Sequence, residues 1–358
     1  MAPRTKASNG AVRTHAEDMM LTVGLDIGYG AVKAVTPNQA LDPFPSVYGQ
    51  AREIKFRPEE IATKYPGDQI SDDIGDWFVG HLALSQLPQG EQLYLRGRSA
   101  DEETIGNEFR VRMTKVAIGK LLPGHKGGET IHIRIATGLP VDHMGDAAAL
   151  KASLIGQHLI KTDATEFVAN ILDVMVMPQP YGTIYRKVLL DSGDYNPDHT
   201  AERTGVVDVG TYSVDLTLDD RGEYIDTDSG SAESGIWTAQ NHIAAYYERT
   251  YRAKLNYRDM EEILRHRRLK IRGQVVWFDQ EVEEALEPLR RATTQKMQHL
   301  WGGGERIDVI YLSGGGAYFV EDRIKDAYPQ AVLVENAQYA NARGYLNYAL
   351  LAQRNEGR

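Results

Sequence analysis

One pattern occurs twice in this chain and restricts the folds open to it. An apolar segment at residues 22–26 runs into Asp26-Ile27-Gly28-Tyr29-Gly30, and a second at residues 205–208 runs into Asp208-Val209-Gly210-Thr211-Tyr212. Each pattern indicates a strand, a tight turn and a returning strand, because β-branched or small apolar residues resume after the glycines. The sequence therefore predicts two similar hairpins, each with a carboxylate beside a turn of small residues.

The residue types in these hairpins suit an anion and a divalent cation. Glycine where a strand turns lets backbone N–H groups approach phosphate, since no Cβ blocks the way, and Gly28 and Gly30 fit that role. Lys33 could reach back to the same phosphates as a point charge. Asp26 and Asp208 would hold waters of a bound Mg²⁺. The alternative is that both aspartates only cap tight turns.

Further segments complete the pattern of an α/β protein. An apolar strand at residues 309–312 ends in Ser313-Gly314-Gly315-Gly316, where the backbone can lie against a planar base or an α-phosphate. Helical spacing at residues 101–122 and around 146–160 alternates with strands at 131–139 and 167–177. Residues 229–235 are predicted to open another helix. Strands alternating with helices predict mixed sheets.

Composition excludes several classes of protein. The 358 residues, 42% of them hydrophobic, are enough for two domains with their own cores. The sequence has no apolar run near the roughly 20 residues needed to cross a bilayer, and residues 1–18 lack the apolar core of a signal peptide. We expect a disordered tail at residues 1–19 of a cytoplasmic protein. The absence of cysteine excludes disulfides and thiol chemistry, and the net charge of -10 disfavours non-specific DNA binding.

The three glycine loops, in this order, resemble those of the actin, sugar-kinase and heat-shock-chaperone ATPase superfamily. Within it, the chain is most similar to ParM-like plasmid-segregation actins and archaeal actin-like proteins. Three segments carry this resemblance: Asp-Ile-Gly-Tyr-Gly with Lys33, Ala136-Thr137-Gly138-Leu139-Pro140, and residues 340–345. The resemblance implies two actin-like (ribonuclease-H-like) domains flanking a nucleotide cleft. Domain I would comprise residues 20–180 plus 338–358, and domain II residues 181–337.

The resemblance also implies roles for individual residues. Asp26, Asp208 and Gln179 would be catalytic, the two aspartates holding the metal through water and Gln179 orienting the attacking water. The alternative for Gln179 is a turn residue between two prolines. Glu233 and Gly235 would begin a helix beneath the ribose and adenine. Residues 231–234 also fit an ordinary helix cap with an acidic residue in the first turn, and the two explanations are compatible. The expected nucleotide-binding residues are Gly28, Tyr29, Gly30, Lys33, Gly210, Thr211, Tyr212, Glu233, Gly235, Gly314, Gly315 and Gly316.

The function that the resemblance implies is an ATPase that binds Mg²⁺ with ATP (or GTP) and polymerises into filaments that the nucleotide controls. Such filaments would serve plasmid or other DNA segregation through an adaptor protein, without a membrane and without direct sequence-specific contact to nucleic acid. One alternative is a small-molecule kinase, which would need a carboxylate base besides Asp208 and Asp215. Another is a non-hydrolysing structural or chaperone-like module. The basic run at residues 265–272 is typical of a solvated helix face, and could also contact an acidic subunit, an adaptor or DNA.

Overall fold

The computed structural model describes residues 20–55, 64–95, 102–197, 199 and 201–356. The tail predicted at residues 1–19 lies outside the described residues. In the first half of the chain the strands are β1 Leu21–Ile27, β2 Ala31–Val35, β3 Phe44–Pro45, β4 Val47–Gln50, β5 Gln69–Asp72, β6 Gly75–Val79, β7 Leu93–Tyr94, β8 Lys126–Leu139, β9 Gly156–Lys161 and β10 Glu166–Pro178. In the second half they are β11 Arg203–Val209, β12 Val214–Asp220, β13 Glu223–Tyr224, β14 Gly230–Ala232, β15 Arg268–Ile271, β16 Gln274–Trp277, β17 Val309–Ser313 and β18 Ala331–Leu333.

The α-helices alternate with these strands. They are α1 Gly80–Gln86, α2 Glu102–Leu121, α3 Ala147–Leu154, α4 Gln179–Val188, α5 Ile236–Tyr251, α6 Tyr257–His266, α7 Asp279–Trp301, α8 Ala317–Ala327 and α9 Ala340–Glu356. Short 3-10 turns at Gln89–Glu91, Val141–Asp146, Asp226–Asp228 and Ala337–Tyr339 complete the described elements.

The two large sheets share one plan. In the first, with the order β3-β2-β1-β8-β10-β9, β1 and β2 form an antiparallel hairpin, and β8 and β10 follow in parallel. In the second, with the order β13-β12-β11-β17-β18, β11 and β12 form the hairpin, and β17 and β18 follow in parallel. The predicted α/β architecture and its two equivalent hairpins are confirmed.

Each sheet has a hydrophobic core of its own. Val23 and Leu25 of β1 belong to one buried cluster with Phe109 and Met113 of α2. Val207 of β11 belongs to a separate cluster with buried residues of α5, α7 and α8. We call the first sheet, the four-stranded sheet β5-β6-β4-β7 and α1–α3 the first lobe, and the second sheet with α5–α8 the second lobe.

Two helices, α4 and α9, connect the lobes. Helix α9 packs on α4, β1 and β8, whereas α4 also contacts β11 of the second lobe. The two helices approach so closely that a Cβ on Gly344 would overlap the carbonyl oxygen of Gly182. On the other side of α9, a Cβ on Gly24 would overlap the carbonyl oxygen of Ala342. The predicted division into residues 20–180 plus 338–358 and residues 181–337 stays a prediction.

Two predicted helices begin or end elsewhere. The segment around 146–160 contains α3, which ends at Leu154, and the edge strand β9. Residues 230–232 form strand β14 on β12, and the following helix begins only at Ile236. Ser229, which precedes β14, supports this pairing, since its Oγ accepts a hydrogen bond from the Leu218 amide at 3.0 Å. Strand pairing to the neighbouring hairpin outweighs local capping preference here.

Candidate functional site

The turns of the two glycine hairpins meet between the lobes. A Cβ on Gly30 would overlap the Thr211 hydroxyl, so the turns are in direct contact. Beside them, the rings of Tyr29 and Tyr212 pack edge to face with their centroids 5.4 Å apart. The turns and their aspartates border a narrow cleft of about 110 Å³. Because each strand reverses at its glycines, the carboxylate that precedes each turn lies at the cleft.

Asp26 lies at the end of β1 and is buried. Its Oδ2 accepts a hydrogen bond from Lys33 Nζ at 3.0 Å, and its Oδ1 accepts one from Gln179 Nε2 at 3.2 Å. The hairpin register sets Asp26 opposite Lys33. The Asp26 carboxylate therefore binds the ammonium group of Lys33, from its own hairpin, and the side-chain amide of Gln179, from the connecting helix α4.

Asp208 lies at the equivalent position of β11 and is also buried. Asn341 Nδ2 of α9 donates a hydrogen bond to its Oδ2 at 2.7 Å. Burial, and after it the nearby charges of Asp215 and Asp26, raise the pKa of Asp208 to about 7. Gly314, at a φ of 85°, turns the backbone so closely past Asp208 that a Cβ there would overlap its Oδ1.

A third carboxylate borders the same cleft. Asp215 faces Asp208 across the β11–β12 hairpin. Ser213 Oγ donates to Asp215 Oδ2 at 2.8 Å, and Ser231 Oγ donates to its Oδ1. The structure thus brings three carboxylates to one cleft, of which Asp26 and Asp208 were predicted to hold a metal.

Most of the predicted nucleotide-binding residues line this cleft. They are Gly28, Tyr29, Gly30, Lys33, Gly210, Thr211, Gly314 and Gly315. Four others lie outside it. Tyr212 borders a neighbouring cavity, and Glu233 is exposed. Gly235 packs against the Thr211 backbone, and the Gly316 amide donates to the Val209 carbonyl.

Two family models match this chain, one for each lobe. The N-terminal domain of actin-like proteins matches residues 24–182, and the C-terminal domain of archaeal MreB-like actin homologues matches residues 206–326. The chain belongs to the actin-like proteins. The resemblance predicted from the three glycine loops is therefore confirmed.

Individual relatives agree with this assignment. An archaeal actin homologue of Thermoplasma acidophilum is 23% identical over 346 residues, which cover 92% of this chain and 99% of the relative. The structure of a 15-stranded ParM filament from Clostridium botulinum has a TM-score of 0.73 at 22% identity and covers 92% of this chain and 98% of that one. An archaeal actin homologue in complex with ADP has a TM-score of 0.72 at 18% identity, over 92% and 99% of the two chains. At these identities the structures establish the actin-like fold.

Gln179 of the actin-like chain is held at both ends. It begins α4, and Pro180 in the first helical turn removes no hydrogen bond, because amides there have no helical partner. The buried Tyr345 hydroxyl donates to the Gln179 carbonyl oxygen at 3.1 Å. Gly138 leaves room for this hydroxyl, since a Cβ there would overlap it. The side-chain Nε2 of Gln179 donates to Asp26, so Gln179 is fixed inside the cleft rather than in a free turn.

Sequence reasoning missed several residues of the actin-like cleft. Gln240, Glu261, Arg265, Gln338 and Asn341 all line it. Asn341 lies in residues 340–345, one of the segments that carry the family resemblance, and Arg265 lies in the basic run at residues 265–272. Nothing in the sequence spacing pointed to Gln240 or Gln338.

The basic run is partly neutralised where it meets the cleft. Arg265 Nε donates to Glu261 Oε2 at 2.8 Å, and Arg267 pairs with Glu283. Arg268, at the start of β15, lies 3.7 Å from Glu262. The run therefore ends helix α6 and begins a hairpin, with Arg265 turned toward the actin-like cleft.

Among the described residues, no group of three or more His, Cys, Asp or Glu has the spacing of a complete metal site. In the same part of the chain, no helix is long and apolar enough to cross a membrane.

Proposed function

We propose that this actin-like protein binds Mg²⁺ with ATP (or GTP) between its lobes and hydrolyses it. The observation that carries the proposal is the convergence of Asp26 and Asp208, from equivalent hairpins of two separate sheets, on one glycine-lined cleft. Glycine turns suit phosphates, because no Cβ blocks the approach to the backbone, and paired carboxylates suit a divalent cation. A turn-capping role alone does not account for both aspartates lining the same cleft.

The cleft residues fit a magnesium ion. The carboxylates of Asp26, Asp208 and Asp215 repel one another, and this repulsion, together with burial, keeps the pKa of Asp208 high. A dication between them would relieve the repulsion. Since Mg²⁺ keeps several waters and completes its shell with substrate phosphates, the lack of a full set of protein ligands is compatible with it. Bound there, the ion would neutralise charge on the phosphates.

Gln179 is the residue that we assign to water positioning. Its Nε2 is engaged by Asp26, whereas its Oε1 makes no hydrogen bond with another described residue and can accept one from a water. An amide is not a base, but phosphoryl transfer depends mainly on orientation and charge stabilisation. Lys33, 3.0 Å from Asp26, stands at the other side of that carboxylate and would approach the same phosphates.

We further propose that the protein assembles into filaments controlled by the nucleotide. A ParM relative forms a filament of 15 strands, and a head-to-tail contact that does not close generates an open polymer. The net charge of -10 favours attachment to DNA through an adaptor rather than directly. A cytoplasmic role in segregating plasmid or other DNA follows from this proposal.

The test combines sedimentation with phosphate release, each with ATP, with ADP and without nucleotide. We expect ATP-dependent pelleting and phosphate release that needs Mg²⁺. Gln179→Ala should slow phosphate release about 100-fold or more with little change in nucleotide affinity. The control is Asp322→Asn, which changes an exposed carboxylate on α8, outside the cleft.

Two outcomes would contradict the proposal. Sugar-stimulated ADP formation without pelleting would favour the small-molecule kinase. Nucleotide binding without either turnover or pelleting would favour a non-hydrolysing module.

A further inference from the structure

A second and larger cavity lies beside the phosphate cleft. It measures about 810 Å³ and lies between the lobes, next to the edge-to-face pair of Tyr29 and Tyr212. The ring of Tyr212 in turn packs on Trp237, with the centroids 5.4 Å apart. We call this space the outer cavity. Its volume lies within the range of about 300–1,000 Å³ that is typical of small-molecule sites.

The walls of the outer cavity are mainly apolar and aromatic. The first lobe contributes Pro45, Leu84, Leu87 and Tyr94, and the second contributes Trp237, Ala244, Leu255, Tyr257 and Met260. The charged residues in its lining are one acid and one base, Glu248 and Lys254, so their charges offset. The lining also includes Tyr29, Gly30, Thr211 and Tyr212 of the two glycine turns, but it contains none of the three carboxylates of the phosphate cleft and not Lys33. The chemistry therefore favours an uncharged ligand with aromatic rings over a phosphate-bearing one.

Two buried amides give the outer cavity polar groups of different kinds. Gln92 is satisfied within the protein, since its Nε2 donates to the Leu87 carbonyl at 2.8 Å and its Oε1 accepts from the Tyr94 hydroxyl. Gln240 is only 5% exposed, yet its side chain makes no hydrogen bond with another described residue. Because no hydrogen bond within the described part of the chain holds this amide, a ligand that supplies a donor or an acceptor can bind it without breaking a contact within the protein. Gln240 is thus the expected polar anchor.

We propose that the outer cavity is a binding site for an uncharged small molecule that carries one or two aromatic rings and a single hydrogen-bonding group. Because its walls belong to both lobes, such a ligand would bind one relative arrangement of the lobes better than others and shift the equilibrium toward it. By linkage, nucleotide and ligand would then alter each other's affinity. Binding itself requires no nucleotide, so the proposal stands apart from the function proposed above.

The test uses N-phenyl-1-naphthylamine, an uncharged aromatic dye whose emission increases in apolar surroundings. The full chain is titrated without nucleotide, and we expect saturable binding with one site per chain. Ala244→Phe places a ring inside the cavity and should weaken dye binding about tenfold or more, because the ring occupies the space that the dye needs. The matched control is Ala245→Phe, at the next, exposed position of α5, which should leave the affinity within about twofold.

A second measurement locates the dye without relying on a cavity-filling variant. Trp237 borders the outer cavity, whereas Trp277 lies on the exposed β15–β16 hairpin. We expect the bound dye to quench tryptophan emission strongly, and Trp237→Phe to remove more of this quenching than Trp277→Phe does. Dye binding at many sites, unchanged affinity in Ala244→Phe, or equal loss of quenching in the two tryptophan variants would each overturn the proposal.

Discussion

Replacing Asp208 by asparagine should stabilise the nucleotide-free protein at alkaline pH. The folded environment raises the pKa of Asp208 from 3.8 to about 7, mainly through burial and then through Asp215 and Asp26. A group with a raised pKa favours the folded state while it is protonated. That contribution is complete below pH 3.8 and is lost as the pH rises to about 7. Above pH 7 the protein therefore holds a buried carboxylate at a cost, which an amide would remove.

The size of this effect follows from the difference in pKa. At about 1.4 kcal/mol per pH unit, the full cost is about 4 kcal/mol at pH 8 and about 2 kcal/mol at pH 5.5. Asparagine can still accept the hydrogen bond that Asn341 donates to Asp208, and its NH2 group would stand near the negative charges of Asp215 and Asp26, which favour a donor there. We therefore expect Asp208→Asn to be the more stable protein, by a margin that grows between these two pH values.

The assay is urea unfolding in the presence of a chelator and without nucleotide, at pH 5.5 and pH 8. The control is Asp322→Asn, an exposed site on α8, where the free energy of unfolding should change by less than about 0.5 kcal/mol. The same Asp208→Asn protein should lose the stabilisation that Mg²⁺ and ATP give to the wild type. If Asp208→Asn is less stable than wild type at pH 8, or if its advantage is equal at both pH values, the carboxylate is not held as we describe.

Two further predictions concern the helices between the lobes. Gly344→Ala should lower the free energy of unfolding by more than about 3 kcal/mol, because its Cβ would overlap the Gly182 carbonyl; a loss below 1 kcal/mol in urea titration would show that α4 and α9 can separate. Tyr345→Phe removes the hydroxyl that donates to the Gln179 carbonyl, and should cost about 1 kcal/mol of stability. It should also slow phosphate release more than it weakens nucleotide binding, and an unchanged turnover would contradict the positioning role of Tyr345.

The hairpins could be predicted because their signals are local. A carboxylate at the end of an apolar strand, followed by two glycines, determines its own turn, and Asp26 and Asp208 therefore lie where the sequence indicated. The sequence cannot show which glycines face a ligand and which permit packing. Gly316 resembles Gly314 in sequence, yet a Cβ on Gly316 would lie 2.5 Å from the Val209 side chain, so it serves contact with β11.

The residues that sequence reasoning missed depend on contacts between distant segments. Asn341 reaches Asp208 across 133 positions of the chain, and Tyr345 reaches Gln179 across 166. No periodicity connects such pairs, since their proximity results from the packing of α9 between the sheets. Glu233 lies outside the cleft for a local reason, since residues 230–232 pair with β12 and the helix that was predicted to open at residues 229–235 begins only at Ile236.

Helices α4 and α9 connect the chemistry of the cleft to the arrangement of the lobes. Gln179 begins α4 and contacts Asp26 of the first lobe, while Asn341 near the start of α9 contacts Asp208 of the second. Thr183 of α4 donates to the Asn341 side chain at 2.9 Å, so the two contacts are joined through a single hydrogen bond between the helices. Because the glycine contacts leave no space for independent sliding, a rotation of one lobe must move both polar contacts together. This coupling gives the proposed nucleotide control a physical route, since any ligand that changes the distance between Asp26 and Asp208 also moves helices α4 and α9, which connect the lobes.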